Sequence, residues 1–314
     1  MRQVIITGAN GFVGSNIVAA CLAAGFDVAA VDLCFDNPAY AQPACDNLRL
    51  IETDCVNMPP VTADALIHAA FVTATPEERG ESPELNLRAN LEPLLAVLEY
   101  AQRQRIARVI CVSSAAVHSG TTDTVVYESL APRPLGVYGV AKTLMEHTVE
   151  TMRQVHGRDC LCVRPGSIYG PFEFIRSTRP RLSAVARMMQ SALAAGEIYV
   201  DRPQERIEWT FAPDIGRALV ALLKSDSLNY ALYQLASGEH VSNLAVARMI
   251  QRALPGLTLR VNQPEAGSTQ ADGRPRILDT ERLRQDTGFR DWTTMSPATL
   301  KRTCDSIARA IGDA

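Results

Sequence analysis

Short apolar runs alternate along this chain with longer stretches in which apolar positions recur every three or four residues. Val4–Thr7 and Val28–Val31 flank a helical stretch from Phe12 to Ala24, and further runs at Ala65–Ala69, Val109–Val112 and Leu161–Val163 follow with helices between them. The longest helices expected are Leu87–Arg105 and Val137–His156. Runs that are apolar throughout, rather than alternating, read as strands covered on both faces, with the intervening helices as crossovers of a parallel sheet. The pattern predicts an α/β fold with a Rossmann-type doubly wound sheet.

After Arg164-Pro165-Gly166 this rhythm breaks into a Pro- and Arg-rich segment, Pro171 to Arg181, ahead of a helix near Ser183–Ala195. A smaller C-terminal substrate lobe is expected to begin there. Asp214–Lys224 reads as another helix, Tyr230–Ala236 as a strand and Ser242–Ala253 as a helix started by a serine cap. The division expected is a nucleotide-binding unit over residues 1–170, rejoined by 210–240, and a lobe built from 171–209 and 241–314.

The 314 residues, 47% of them hydrophobic, suit one large unit with an added lobe better than several modules. A net charge of −3, with no block of like charges, argues against nucleic acid or an anionic membrane surface as a partner and leaves a small molecule. The start, Met-Arg-Gln-Val-Ile, lacks a secretion-signal pattern, and no stretch reaches ~18 uninterrupted apolar residues. A cytoplasmic location is therefore expected. Of the eight cysteines, Cys21, Cys111, Cys160 and Cys162 sit in apolar segments, as buried thiols do. No second Cys or His cluster has metal-ligand spacing, so no metal is expected.

Gly8-Ala9-Asn10-Gly11-Phe12-Val13-Gly14 follows a strand and opens a helix. Glycines in that place form a tight turn and let a pyrophosphate approach the free amides of the helix N-terminus. The spacing departs from the commoner Gly-x-Gly-x-x-Gly, and glycines also mark ordinary turns, so position matters more than count. Asp32 ends the second strand, roughly 20 residues on, where a carboxylate accepts bonds from the adenosine ribose. An anion there repels a 2′-phosphate, and no Arg or Lys occupies Leu33, Cys34 or Phe35. NAD is expected over NADP.

Tyr138-Gly139-Val140-Ala141-Lys142 sets a phenol and an ammonium four residues apart on one helix face. A nearby cation favours the phenolate and moves the phenol towards the range of a general acid or base. Ser113-Ser114 ends the strand Arg108–Val112, and hydroxyls at the carboxyl end of a parallel strand face the ligand crevice. Ser114 is the candidate to hold a substrate oxygen beside Tyr138.

Taken together, these residues resemble the extended short-chain dehydrogenase/reductase family, its NAD-dependent epimerase/dehydratase group, over essentially the full length. Besides Gly8, Gly11, Gly14 and Asp32, the resemblance covers Asp54 in Thr53-Asp54-Cys55, His68-Ala69-Ala70, Asn90, Ser114, Tyr138, Lys142 and Arg164-Pro165-Gly166. It implies an adenine contact at Asp54 and Cys55, a cofactor wall at His68, Ala69, Ala70 and Pro165, and a structural Asn90 beside it. His68 is equally readable as a core histidine. The resemblance further implies that Tyr138 exchanges the hydroxyl proton, Lys142 holds the nicotinamide ribose, Ser114 orients the substrate, and two long helices form a homodimer.

Departures from the family pattern narrow the reaction. Dehydratases of the group carry an acidic pair after the catalytic hydroxyl, whereas Ala115-Ala116 follow Ser114 here, which argues against dehydration. Members acting on nucleotide sugars usually have Asn at Ser167 and Arg at Ile207, and Arg206 lies one position off, on the opposite face of an extended segment. The loop instead offers Arg176, Arg179 and Arg181, either an anion-binding cluster or a solvated basic loop. His118 stands near the substrate mouth, as a polar contact or a loop residue. The expectation is an NAD-dependent oxidoreductase acting on a secondary hydroxyl of a small polar carbohydrate or sugar acid, with Ser114, His118, Ser167, Arg176 and Arg179 facing it. The alternatives are a nucleotide-sugar epimerase and, from another class, a non-catalytic NAD sensor.

Overall fold

The computed structural model describes residues 2–40, 45–262 and 276–312. Strands β1 (Gln3–Thr7), β2 (Asp27–Asp32), β3 (Leu48–Glu52), β4 (Ala65–His68) and β5 (Arg108–Val112) alternate with helices α1 (Phe12–Ala23), α2 (Pro76–Arg79) and α3 (Pro83–Arg103). A short pair Val125–Val126, β6, precedes α4 (Val137–His156), β7 (Asp159–Pro165) and β8 (Ser167–Tyr169). Then come α5 (Ala184–Ala195), β9 (Glu197–Val200), β10 (Arg206–Phe211), α6 (Ala212–Lys224), β11 (Leu232–Leu235) and β12 (His240–Ser242). The described chain closes with α7 (Asn243–Ala253), β13 (Thr258–Val261), β14 (Ile277–Leu278), α8 (Glu281–Thr287) and α9 (Pro297–Gly312).

Seven strands form one sheet in the order β11-β7-β5-β4-β1-β2-β3, every pairing parallel. The chain order reverses between β1 and β4, which opens a crevice beyond their carboxyl ends, the place where ligands of such sheets bind. Two buried clusters cover the two faces, one around Ile6, Ile67, Leu161 and Leu219, the other around Ile5, Leu66, Leu98 and Met145. The Tyr230–Ala236 run supplies β11, which pairs with β7 at the sheet edge, Leu232 opposite Cys162. The helix Asp214–Lys224 begins slightly earlier, at Ala212. A separate core around Met189, Ile198, Trp209, Phe211 and Ile250 holds the C-terminal lobe, and the three-stranded sheet β12-β10-β8 borders it.

Two elements differ from the pattern for local reasons. Among the residues of β3 only Ile51 is buried, because the strand lies at the outer edge of the sheet and has no continuous apolar run. Helix α3 starts at Pro83 rather than Leu87. Ser82 caps it by accepting from the Leu85 amide (3.3 Å), and proline is tolerated at a first helical turn, where its missing N–H has no partner to lose. No described helix is long and apolar enough to cross a membrane.

Beneath the crevice a charged pair crosses the core. Glu146 on α4 receives Arg164 of β7 in two parallel bonds, 2.7 and 2.6 Å, and also accepts from Ser113 Oγ at 2.6 Å. All three side chains are buried. A bidentate guanidinium–carboxylate pair is tolerable there only because the partners satisfy each other. Glu146→Ala would leave Arg164 charged and unpaired, so it is expected to destabilise the protein by about 3–5 kcal/mol. Urea unfolding monitored by fluorescence checks this; an unchanged midpoint would show that the pair contributes nothing.

Candidate active site

The turn between β1 and α1 is shaped by steric necessity. Gly8 adopts φ of 69°, and a Cβ at Gly14 would fall 1.9 Å from the Gly8 carbonyl oxygen. Only glycine lets the first turn of α1 lie against that strand end, leaving its amides facing the crevice. Asp32 closes the neighbouring strand. Its carboxylate accepts from the Asn10 and Leu33 amides, each at 2.8 Å, while burial raises its pKa against those bonds.

On the other side of the crevice, Gly136 precedes α4 and places Tyr138 in its first turn. Gly139 allows close approach: a Cβ there would stand 2.9 Å from the Ala116 carbonyl oxygen. The helix therefore meets the Ser114–His118 turn directly, and Ser114 and Tyr138 line the same hollow. Burial raises the phenol pKa, while Ser114 and then Arg179 oppose that rise. Ser114 also accepts from the Ala116 amide at 3.1 Å. The Lys142 ammonium donates to the Val112 carbonyl (2.7 Å) and lies 3.3 Å from the centre of the Phe71 ring, itself packed edge-on against Tyr138. Burial pushes the Lys142 pKa down to about 7.

Residues 4–236 match the NAD dependent epimerase/dehydratase family. The chain belongs to this family. It is 26% identical to a dTDP-4-dehydro-6-deoxy-D-allose reductase of Streptomyces bikiniensis, covering 98% of this chain and 95% of that protein. A UDP-glucose 4-epimerase of Mycolicibacterium smegmatis is 22% identical, with 95% and 96% covered. Among solved structures, a Bacillus cereus UDP-glucuronic acid 4-epimerase in complex with NAD superposes with a TM-score of 0.79 at 20% identity, covering 98% of this chain and 99% of that one. NAD is the family's cofactor, and this chain's residues fit it. The glycine turn is a cradle that a side chain at Gly8 or Gly14 would fill, and Asp32 lines the hollow beside it.

Two adjoining hollows of about 220 and 190 Å³ share Gly8, Gly11, Ala69, Phe71, Arg176 and Thr178, and run from Ser114 to Asp32. Phe12, Val13, Gly14 and Pro165 wall the Ser114 end, and Ala70, Asp54 and Cys55 the Asp32 end, so these expected family positions do meet in one trench. The Asp54 carboxylate holds its own loop by accepting from the Val56 and Asn57 amides, at 2.9 and 2.7 Å. Three expected cofactor residues stand behind the wall instead. Asn10 is fully buried; its amide nitrogen donates to Asp36 and its oxygen accepts from the Asn37 amide. His68 is fully buried too, its Nδ1 2.8 Å from Thr7 Oγ1, and burial pushes its pKa to about 3. It is the core histidine of the two readings. Asn90 holds Val72, accepting from its amide at 2.8 Å and donating to its carbonyl at 3.3 Å.

The loop arginines are each ion-paired. Arg176 pairs with Asp36, Arg179 with the buried Glu173 at 2.6 Å, and Arg181 with Glu78. Arg176 and Arg179 both line the hollow that holds Ser114 and Tyr138. Arg176 stands beside Asp32, where sequence reading found no cation, because it arrives from a loop far along the chain. Arg179 lies 5.3 Å over the Phe12 ring, on the trench wall.

His118 and Ser167 line a cavity of about 460 Å³ that begins at Ser114. Sequence reading missed several of its other walls, among them Arg276, Glu205 and Glu208; Glu208 is pushed up to about 7 by burial. Phe71 and Thr178 were missed as well, although Phe71 directly follows the His68-Ala69-Ala70 motif. A roomier cavity of about 620 Å³, near Glu128, Arg153 and Arg282, shares no residue with the trench. Among the described residues no group of His, Cys, Asp and Glu is placed to hold a metal. Asp32→Ala is expected to raise the Kd for NAD about tenfold and that for NADP much less, since ribose contacts are lost but repulsion of a 2′-phosphate is relieved. Calorimetric titration with both cofactors decides this; equal losses would contradict a ribose contact.

Proposed function

We propose that this protein is an NAD-dependent oxidoreductase that moves a hydride to or from the carbon bearing a secondary hydroxyl of a sugar, with Tyr138 as acid/base. The observation that carries this reading is the meeting of Tyr138, Ser114 and Lys142 at one end of the glycine-turn trench. NAD supplies the hydride acceptor or donor. Ser114 holds the substrate oxygen, and Tyr138 takes the hydroxyl proton in oxidation or returns it in reduction. Lys142, buried and already near a neutral pKa, exchanges its Val112 contact for a ribose hydroxyl. A purely sensing protein needs the trench but no such proton-transfer group.

The observed pairing of the loop arginines removes the main argument for a small anionic sugar. A nucleotide sugar is the better-supported substrate class: the reductase and epimerase named above act on such compounds, and the cavity beyond Ser114 has room, with Arg206 and Arg276 in its wall. Ala115 and Ala116 supply no acid for elimination of water, which supports plain oxidoreduction or epimerisation over dehydration. Exposed Leu95 on α3, with Val140 and Leu144 on α4, supports the expected homodimer through those helices.

Incubation with NAD and a panel of nucleotide sugars, aldoses and sugar acids tests the reading. A dehydrogenase accumulates NADH, whereas an epimerase inverts a stereocentre without net absorbance change. Tyr138→Phe is expected to bind NAD normally while losing about 10²–10⁴-fold in turnover; unchanged turnover rejects the acid/base role. Because burial raises the Tyr138 pKa, the phenol stays protonated at neutral pH in the free protein. For alcohol oxidation kcat/KM should therefore climb from pH 7 to 9, and a flat profile would argue for another base.

A further inference from the structure

The loop over residues 171–181 is bonded to both banks of the crevice. At its tip Arg176 and Arg179 exchange backbone hydrogen bonds, the Arg176 amide donating at 3.0 Å and the Arg179 amide at 2.9 Å, so Ser177 and Thr178 form a tight turn. The Thr178 carbonyl accepts from the Thr73 and Ala74 amides, beyond the end of β4. The Arg176 side chain reaches the other bank and pairs with Asp36, beyond the end of β2. Strand β1 and its glycine turn lie between those two strands, so the loop spans the mouth of the trench.

Arg176 lines both hollows of the trench, as Gly8 and Gly11 do, and so stands where the two meet. A dinucleotide laid from Ser114 to Asp32 has its pyrophosphate at that junction, because this group joins the two halves and seats on the helix N-terminus after the glycines. Among the described residues three cations line the trench, Lys142, Arg176 and Arg179. Lys142 belongs to the Ser114 end. Arg179 is bound to Glu173, whose side chain is fully buried, and withdrawing the guanidinium would strand that carboxylate. Arg176 is held less firmly. The side chain of its partner Asp36 is 63% exposed, and an ion pair so open to water contributes little, so this guanidinium changes partners at small cost.

We propose that Arg176 is a cofactor-binding residue that leaves Asp36 to hold the pyrophosphate of NAD, across the trench from the glycine turn. A guanidinium meets two phosphate oxygens with parallel N–H···O bonds, a geometry that an ammonium does not reproduce. Asp36 and the pyrophosphate compete for the same group, so removing the charge of Asp36 favours the cofactor. The assignment rests on the reading of the trench as the NAD site of an oxidoreductase.

Calorimetric titration of the full chain with NAD and with ADP-ribose, both of which carry the pyrophosphate, compares wild type, Arg176→Ala, Arg176→Lys and Asp36→Asn. The asparagine keeps an acceptor for the side-chain nitrogen of Asn10, which donates to Asp36 at 2.8 Å. Arg176→Ala is expected to raise both dissociation constants on the order of tenfold and Arg176→Lys about threefold, whereas Asp36→Asn lowers both about twofold to threefold. Misfolding cannot imitate tighter binding. Unchanged or weaker binding by Asp36→Asn, unchanged binding by Arg176→Ala, or a loss with NAD that ADP-ribose does not share would overturn the assignment. A loss in Arg176→Ala confined to NADP would put the guanidinium at the ribose 2′-position and overturn it too. Turnover is read separately. The expected order of binding in a protein that transfers no hydride supports Arg176 and counts against the oxidoreductase reading alone. Turnover lost in Tyr138→Phe, with NAD binding indifferent to Arg176, removes this assignment and leaves that reading standing.

Discussion

The pairing of Glu146 with Arg164 is the constraint on which the crevice depends. One carboxylate on α4 and one guanidinium on β7 hold three pieces of chain together: the helix carrying Tyr138 and Lys142, Ser113 at the end of β5, and His118 in the following turn. Each of these segments presents a polar group to the site. Charges in a core are destabilising unless matched, so the pair specifies one arrangement of α4 against the sheet and penalises neighbouring ones. Gly139 completes this from the other side, since only a residue without Cβ lets α4 reach the Ala116 carbonyl.

The same burial sets the chemistry of the groups. Burial lowers the Lys142 pKa towards neutrality, and partial desolvation at the trench wall raises that of Tyr138. Desolvation alone would make Tyr138 a poor base, and the Ser114 hydroxyl with Arg179 moves it back. The sequence expectation had assigned that tuning to Lys142. Its ammonium, 5.7 Å from the centre of the Tyr138 ring, is instead directed to the Val112 carbonyl and the Phe71 face.

Residues 171–181 cross from the lobe to the Asp32 end of the trench. The Thr178 carbonyl accepts from the Thr73 and Ala74 amides at 2.8 and 3.1 Å, and Arg176 reaches Asp36 beside the end of β2. This segment joins the trench wall rather than forming a separate anion site. Its ion pairs at Asp36 and Glu78 are largely exposed and contribute little stability, whereas Glu173 is fully buried and also accepts from the Ser183 amide and hydroxyl.

By itself the sequence determined the parallel sheet, its crossover helices, the glycine turn and the Tyr138–Lys142 spacing. Each follows from interactions over a few residues: uninterrupted apolar runs, helical periodicity, and a turn that tolerates no side chain. Asp32 was legible for the same reason, being at a strand end. The tertiary structure alone decided which charges meet. Arg176, Arg179 and Arg181 look like one cluster in the chain, yet Arg176 and Arg181 pair with the distant Asp36 and Glu78, and Arg179 with Glu173 of its own segment. Likewise His68 and His118 are equally ambiguous in the chain. Burial behind Thr7 makes the first a core residue, and contact with Arg164 holds the second at the wall of the cavity beside Ser114. Charge pairing and desolvation act through space between residues many positions apart, and no local pattern records them.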